Sequence, residues 1–201
     1  MRLLFEHRIQ FIRRVFIEMT DHMNPDNWPA WATEPVEVVE ANSAWSTQAE
    51  EEIAQLRELL KNLDIHTFEH IGSTSIPGLS AKPIIDLMGE VQSWDDMERI
   101  AERLNPADWN YVPPELDGRE YRRFWVKVKD GKRAVHLHLM RPGEERWERQ
   151  VRFRDVLKSR PDLVKAYAEL KIKLADENKD DRESYTTAKT EFILKVLDGQ
   201  L

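Results

Sequence analysis

The chain has 201 residues, 41% hydrophobic and 33% charged, with a formal net charge of −7 and no cysteine. That balance is ordinary for one globular domain with a sizeable core, and it is not the balance of a disordered chain. The lack of cysteine excludes disulfides and thiolate zinc sites, no apolar run nears the ~20 residues of a membrane span, and the acidic total argues against a general nucleic-acid coat.

In chain order, residues 1 to about 23 carry Leu4, Ile12, Val15 and Met19 near helical spacing, and Phe11, Phe16 and Ile17 widen the stripe. Glu6, Arg8, Arg13 and Arg14 interrupt any signal-peptide core, so a cytoplasmic protein is expected. Asn24-Pro25-Asp26-Asn27-Trp28-Pro29 and Glu34-Pro35 form a turn-rich linker. The expected division is therefore a helical extension with its linker over 1–33 and one domain over 34–201.

Val36 to Val39 reads as a short strand, and Ser46 as the cap of a helix through Ile53, Leu56, Leu59 and Leu60. Thr67 to Ile71 and Pro83 to Val91 read as strands. Ser93 precedes a helix with Met97, Ile100, Ala101 and Leu104 on one face, ended by Asn105-Pro106. Trp109 to Val112, Arg122 to Lys129 and Arg133 to Met140 are further strands, the last two joined by the hairpin dipeptide Asp130-Gly131. From Glu144 the chain reads helical in three pieces, broken at Arg160-Pro161 and at the charged run Asp176 to Asp181, where Asp180 and Glu183 have capping-box spacing. Strands mixed with helices and followed by a helical tail predict an α/β (α+β) fold: a mixed β-sheet, not purely parallel, covered by helices.

The chemistry concentrates in the stretch from His70 to Asp86. An apolar strand end leads into Gly72-Ser73-Thr74, then a small-residue loop, then Lys82-Pro83 and a strand carrying Asp86. Glycine lets backbone amides approach an anion, and hydroxyls add donors. A carboxylate on the next strand can hold a divalent cation against the same phosphate. Asp86, Met88 and Glu90 share one strand face, with Asp86 and Met88 ~7 Å apart at ~3.3 Å per residue. Methionine does not bind a hard cation, and Glu90 lies ~13 Å from Asp86 by the same rise. A standard two-metal carboxylate pair is therefore not written into this strand.

In Ala134-Val135-His136-Leu137-His138-Leu139 the two imidazoles fall on one face. They suit a transition metal with Asp86 as third ligand, or acid–base work near pH ~6.5, or they are simply a hydrogen-bonded pair. Lys82 is a phosphate contact or a solvated lysine. Of Arg122, Arg123 and Lys127, the last two share a face, and one of the three is expected at the site. Between Arg119 and Arg160 there are 14 Lys/Arg against 6 Asp/Glu, a basic band on an acidic chain that either draws a phosphorylated ligand or only solvates surface elements. Trp45, Trp109, Trp125 and Trp147 read as core or half-buried, with base stacking by one of them left open.

The run His70 to Asp86, with Ile71-Gly72-Ser73-Thr74 and Pro77-Gly78-Leu79-Ser80-Ala81-Lys82-Pro83, resembles the signature of the GrpB family. Arg123-Phe124-Trp125-Val126-Lys127, His136-Leu137-His138, Phe153-Arg154-Asp155-Val156-Leu157, Tyr167 with Leu170-Lys171, and Tyr185 with Lys189 and Phe192 agree in order. The resemblance covers about Val36 to Leu197 and implies a nucleotidyltransferase-like fold, also similar to a domain fused to some bacterial dephospho-coenzyme A kinases. It implies no settled reaction.

Two functional readings follow. In the first, the domain binds a nucleotide or other phosphorylated metabolite and, in its sharpest form, transfers a nucleotidyl group. Gly72, Ser73 and Thr74 with Lys82, Arg123 and Lys127 contact phosphate, and Asp86, His136 and His138 hold a divalent metal (Mg, Mn or Zn) or do the acid–base work. In the second, a degraded site leaves a non-catalytic ligand-binding or protein-interaction module. No membrane partner and no general nucleic-acid partner is expected. The front segment is expected to be separable from the fold: it is a docking helix, or an over-long reading of the start with Met19 or Met23 as other starts, or, because Phe5, Ile12 and Phe16 need burial, an element that pairs two copies as a homodimer. Deleting residues 1–33 is expected to move the melting temperature by under ~4 °C. Loss of cooperative melting would instead assign the segment to the core, and a change confined to sedimentation would make it an oligomerisation element.

Overall fold

A computed structural model describes residues 28–65, 67–178 and 182–201. The chain divides into two compact units, Met1–Glu34 and Pro35–Leu201. The described part of the first carries a 3-10 turn at Ala30–Ala32. The helix expected over residues 1 to about 23, and Asp180 of the expected capping box, lie outside the described residues.

The second unit is a mixed α/β sheet covered by helices, as expected. Its strands are Phe68–Ile71 (β1), Ile85–Glu90 (β2), Trp109–Val112 (β3), Arg122–Lys129 (β4) and Lys132–Met140 (β5). They form one sheet in the order β1-β2-β5-β4-β3. β2 pairs parallel with β5, while β1–β2, β3–β4 and β4–β5 are antiparallel. The β4–β5 hairpin turns on Asp130 (φ 52°) and Gly131 (φ 73°), the two positive φ values that a type I′ turn requires. The helices are Ala44–Leu59 (α1), Met97–Leu104 (α2), Pro114–Asp117 (α3), Glu145–Ser159 (α4), Pro161–Glu177 (α5), Arg182–Ala188 (α6) and Thr190–Leu197 (α7).

Alternation along the strands sorts the sheet into two faces. Ile85, Leu87, Val135, Leu137, Leu139 and Trp125 point to the face that packs against Trp45, Ala49 and Leu56 of α1 and Ile100 and Leu104 of α2. Met88 and Met140 point the other way and, with Ile71, meet Trp147 and Val151 of α4. A further core joins Ile76 and Leu79, from the loop after β1, to Phe153, Leu157, Leu163, Tyr167, Val196 and Leu197 of the helical tail. The tail is thus packed onto the loop that carries the phosphate-like motif.

Local expectations fail where a competing interaction wins. Val36 to Val39 forms no strand ladder; Val39 makes an isolated bridge with Ala81 (N···O 2.9 and 3.0 Å), and Val36 is buried with Leu174, Ala175 and Tyr185. Ser46 lies inside α1, because Asn42 Oδ1 already accepts the Ala44 N–H at 2.9 Å and starts the helix earlier. Among the described residues the tail has four helical pieces instead of three, since Lys189 separates α6 from α7.

Lys171 is the anomaly of the core. On α5 it occupies the buried stripe Leu163, Tyr167, Lys171, Leu174, Ala175, and it is 1% exposed. Its ammonium donates to the Ser80 carbonyl and stands 5.0 Å from the Tyr167 ring centroid. Burial, and then the charges of Lys189 and Lys82, pull its pKa down to about 7. An unfolded lysine titrates near ~10.4, so between about 7 and that value the unfolded chain binds more protons than the folded one. Folding stability contributed at this site is therefore full at alkaline pH and is lost as pH falls through about 7. Denaturant melts of wild type and Lys171→Met from pH 7 to 9 are expected to show wild-type stability rising relative to the variant, by up to ~1.4 kcal/mol per pH unit. Parallel curves would refute the assignment.

Candidate functional site

The site is made by register. In the parallel β2–β5 pair, Asp86 lies beside His136 and Met88 beside His138. His136 Nδ1 is 2.9 Å and His138 Nε2 3.6 Å from Asp86 Oδ1. From β4, Phe124 stacks on His138 (centroids 5.0 Å, 20°) and meets His136 edge-on at 5.1 Å. The Arg122 guanidinium lies over the Phe124 ring at 4.4 Å, binds Asp117 of α3 through Nε (2.8 Å) and Nη2 (2.6 Å), and donates through Nη1 to His138 Nδ1.

Burial alone would raise the Asp86 carboxyl, but the hydrogen bond from His136 and the nearby His138 ring, 3.6 Å away, outweigh it and hold the group well below the usual carboxylate range. Burial lowers His136 and His138 to about 4, against the pull of Asp86, with Arg122 also lowering His138. At neutral pH the set is one carboxylate and two neutral imidazoles. The partners assign the protons. A carboxylate only accepts, so His136 carries its proton on Nδ1. Arg122 only donates, so His138 carries its proton on Nε2, facing Asp86. His136 Nε2 is left as a buried lone pair with no hydrogen-bond partner.

Asp86, His136 and His138 each offer a ligand atom within 4.8 Å of the others, and the donor chemistry suits Zn, Mn or Fe. Asp86 and His136 fit a metal, His136 through the nitrogen that faces the carboxylate, Nδ1, once its proton moves to the orphaned Nε2. His138 fits once Arg122 turns its third donor away, since a ligating histidine normally donates from its second nitrogen. The same Nε2 could instead take a proton, with Asp86 fixing the tautomer.

The loop after β1 closes on this group. Gly72 has φ 70° and ψ −172°, and a Cβ there would press into the Asp86 carboxylate and stand 3.0 Å from the Asp86 Cβ. Only glycine allows that approach. The Ser73 side chain is half-buried. Thr74 is buried and spent on structure, its hydroxyl bonded to His70 Nε2 (3.0 Å) and the Ile84 carbonyl (3.3 Å). Ser75 likewise bonds the Gly72 carbonyl at 2.6 Å.

Of the residues singled out in the sequence, Gly72, Asp86, His136 and His138 come together, and Lys82 stands 5.2 Å from the centroid of the Tyr185 ring. Arg123 and Lys127 do not join them. They pair in register with Leu139 and Val135, which belong to the face against α1 and α2. Lys127 there binds Glu52 at 2.7 Å, and Arg123 lies 4.4 Å over Trp94. The basic band is largely absorbed in this way; Arg154 is likewise tied to Glu69 (2.6 Å) and the His70 carbonyl (2.9 Å). Trp45, Trp109 and Trp125 are core residues, and Trp147 is half-buried against Met88 and Met140. Arg122 is the cation that reaches the imidazoles, and strand alternation alone separates it from Arg123.

Gly72→Ala combines a positive φ with pressure on Asp86, and a cost of ~1–3 kcal/mol is expected. Because the closest obstruction is the carboxylate itself, the same substitution is expected to cost measurably less in an Asp86→Ala background. Equal costs in the two denaturant melts would place the strain elsewhere.

The comparisons with known proteins bear on this geometry. The family description "GrpB protein" matches residues 35–199. YqkA of Bacillus subtilis is 36% identical over 158 residues, covering 79% of this chain and 45% of YqkA, so the chain spans less than half the length of that relative. The glutamate-rich protein GrpB of Alkalihalophilus pseudofirmus is 31% identical over 71% of this chain and 83% of its own length. The crystal structure of conserved protein GrpB from Enterococcus faecalis superposes with a TM-score of 0.72 at 31% identity, covering 81% of this chain and 96% of that one. With its Gly72 turn, lone strand acid and histidine pair held in one fold, the chain belongs to the GrpB family.

Proposed function

We propose that the domain binds a nucleotide or another phosphorylated metabolite together with a divalent cation, in the nucleotidyltransferase-like manner that its family resemblance implies. The observation carrying this reading is the buried, unpartnered Nε2 of His136 beside a carboxylate held ionised. A buried lone pair without a donor is costly, and either the proton that an ion displaces from Nδ1 or an acidic proton of a ligand would satisfy it. Asp86 and His136, joined by His138, would hold the ion, which supplies neutralisation of phosphate oxygens when bound. Gly72 keeps side-chain bulk away from that carboxylate. In the sharpest form of the reading, an acceptor hydroxyl attacks the α-phosphorus of a nucleoside triphosphate and pyrophosphate leaves. The acceptor's proton goes to His136 Nε2 when Asp86 and His138 hold the ion and His136 Nδ1 keeps its own proton, and to solvent when His136 is a ligand.

One observation favours a non-catalytic binding module instead. Met88 is 0% exposed and packed with Ile71 and Met140, so the place of a second acid is part of the core. Release of pyrophosphate from nucleoside triphosphates separates the two readings.

Thermal shift with Mg, Mn and Zn, with and without nucleotide, tests the site. A ligand at 100 Kd adds about 2.7 kcal/mol of stability. Asp86→Asn is expected to abolish the cation-dependent shift, and His138→Ala to weaken Zn and Mn more than Mg. No cation-dependent shift in wild type, with or without nucleotide, would overturn the proposal.

A further inference from the structure

The guanidinium of Arg122 is fixed from three sides. Its Nε and Nη2 donate to the two carboxylate oxygens of Asp117, at 2.8 and 2.6 Å, and the two side chains are only 12% and 5% exposed. Asp117 closes the one-turn helix α3, whose end is pinned by the Gly118 N–H on the Pro114 carbonyl at 2.8 Å. The Phe124 ring lies against the guanidinium at 4.4 Å and also carries the His138 ring, at 5.0 Å and 20°. The remaining nitrogen, Nη1, is thereby aimed at His138 Nδ1.

A guanidinium has donors and no acceptor. Opposite it, Nδ1 of a neutral ring is a lone pair, so the ring proton sits on Nε2, 3.6 Å from Asp86 Oδ1. Ligation of a cation beside Asp86 needs the reverse, a lone pair on Nε2 and the proton on Nδ1. That proton would face the Nη1 donor, two donors in a part-buried place with no acceptor between them. A ligating histidine ordinarily has an acceptor at that position. His136 meets no such obstacle, because its far nitrogen, Nε2, has no hydrogen-bond partner among the described residues.

We propose that Arg122, braced by Asp117, sets the cation preference of the site: its donor on Nδ1 makes His138 a poor ligand for soft cations and leaves the hard oxygens of Asp86 as the main anchor. Arg122 is thus a positioning residue that acts through His138. The proposal rests on the reading of Asp86, His136 and His138 as a cation site, and it names the residue that tunes that site. Mg seeks oxygen and needs neither imidazole, so it is indifferent to this latch. Zn takes imidazole readily and is held back by it.

The tautomers are read first, from the imidazole nitrogen chemical shifts of the metal-free wild type at neutral pH. His138 is expected to carry its proton on Nε2 and His136 on Nδ1; a proton on His138 Nδ1 overturns the proposal, and this reading needs no variant to fold. Zn and Mg are then titrated calorimetrically into wild type, Arg122→Lys, Arg122→Gln, His138→Ala and the Arg122→Gln/His138→Ala double variant, with melting to confirm each fold. A glutamine carbonyl accepts from Nδ1–H, so Arg122→Gln is expected to tighten Zn about tenfold or more beyond any gain for Mg. A lysine only donates, so Arg122→Lys is expected to keep the wild-type ratio of Zn to Mg affinity within about threefold. In the His138→Ala background the excess gain for Zn is expected to vanish. Equal gains for Zn and Mg, or an excess that survives in His138→Ala, would show the loss of a positive charge alone and overturn the proposal. If wild type binds cations and Arg122→Gln changes nothing, the cation site stands and the latch falls. If wild type binds none and Arg122→Gln binds Zn through His138, the latch stands and the cation site proposed for wild type falls. No cation bound by any of these proteins overturns both.

Discussion

The parallel register between β2 and β5 is the constraint on which the rest depends. It sets Asp86 beside His136 and Met88 beside His138, and with them Leu87 beside Leu137 and Gly89 beside Leu139. Side chains alternate, so a slip of one residue would send the acid and imidazoles into the apolar layer and the leucines out of it. Leu87, Leu137 and Leu139 are each 0% exposed beneath α1 and α2. The hydrophobic face thereby holds the polar face in place. Burying three such side chains is worth several kcal/mol, at ~1.5–3 kcal/mol each, far more than any one hydrogen bond at ~0.5–1.5 kcal/mol.

Everything polar on the other face then follows from contact with Asp86. The carboxylate orients His136, faces the Nε2 proton of His138, and leaves no room for a side chain at residue 72. Arg122 and Phe124 clamp His138 from β4, and α3 anchors Arg122 through Asp117. The result is a preorganised group whose carboxylate is charged and whose imidazoles are neutral at physiological pH, because burial acts on all three and hydrogen bonds reverse its effect only for the acid. Departures from ordinary core chemistry gather here: a buried imidazole nitrogen without a partner, a buried lysine, and a glycine at positive φ. Such departures cluster at functional sites, where local rules yield to chemistry.

The helical tail belongs to the same design. Its apolar residues pack on Ile76 and Leu79, which fixes the loop between Gly72 and Lys82, and its buried Lys171 bonds the Ser80 carbonyl of that loop. Contacts between tail and loop join residues about 90 positions apart, as in the Lys171–Ser80 bond. Such pairings are set by packing of whole elements and leave little trace in local pattern.

Local pattern was enough for much of this protein. The five strands, the Asp130-Gly131 turn and the helices after Glu144 are written in alternation, turn chemistry and helical spacing, and those are properties of neighbouring residues. The motif from Gly72 to Asp86 and the His136–His138 pair were equally visible, because a positive-φ glycine and an i, i+2 pair are local facts. The register of β4 against β5 was not, and it decided which cation serves the site: alternation puts Arg122 and Arg123 on opposite faces, and the register places the Arg122 face with the imidazoles and Arg123 over Trp94. Lys127 was drawn away by Glu52, 75 residues distant, and Thr74 by His70 and Ile84. Lys171 and Lys189 were visible only as parts of the family pattern, and their places against Ser80 and Tyr185 came from the tail folding back over the loop. The sequence by itself determined which elements form and which residues have reactive chemistry, since both depend on near neighbours; the tertiary structure alone decided which of those residues meet, since that depends on register and on packing between segments far apart in the chain.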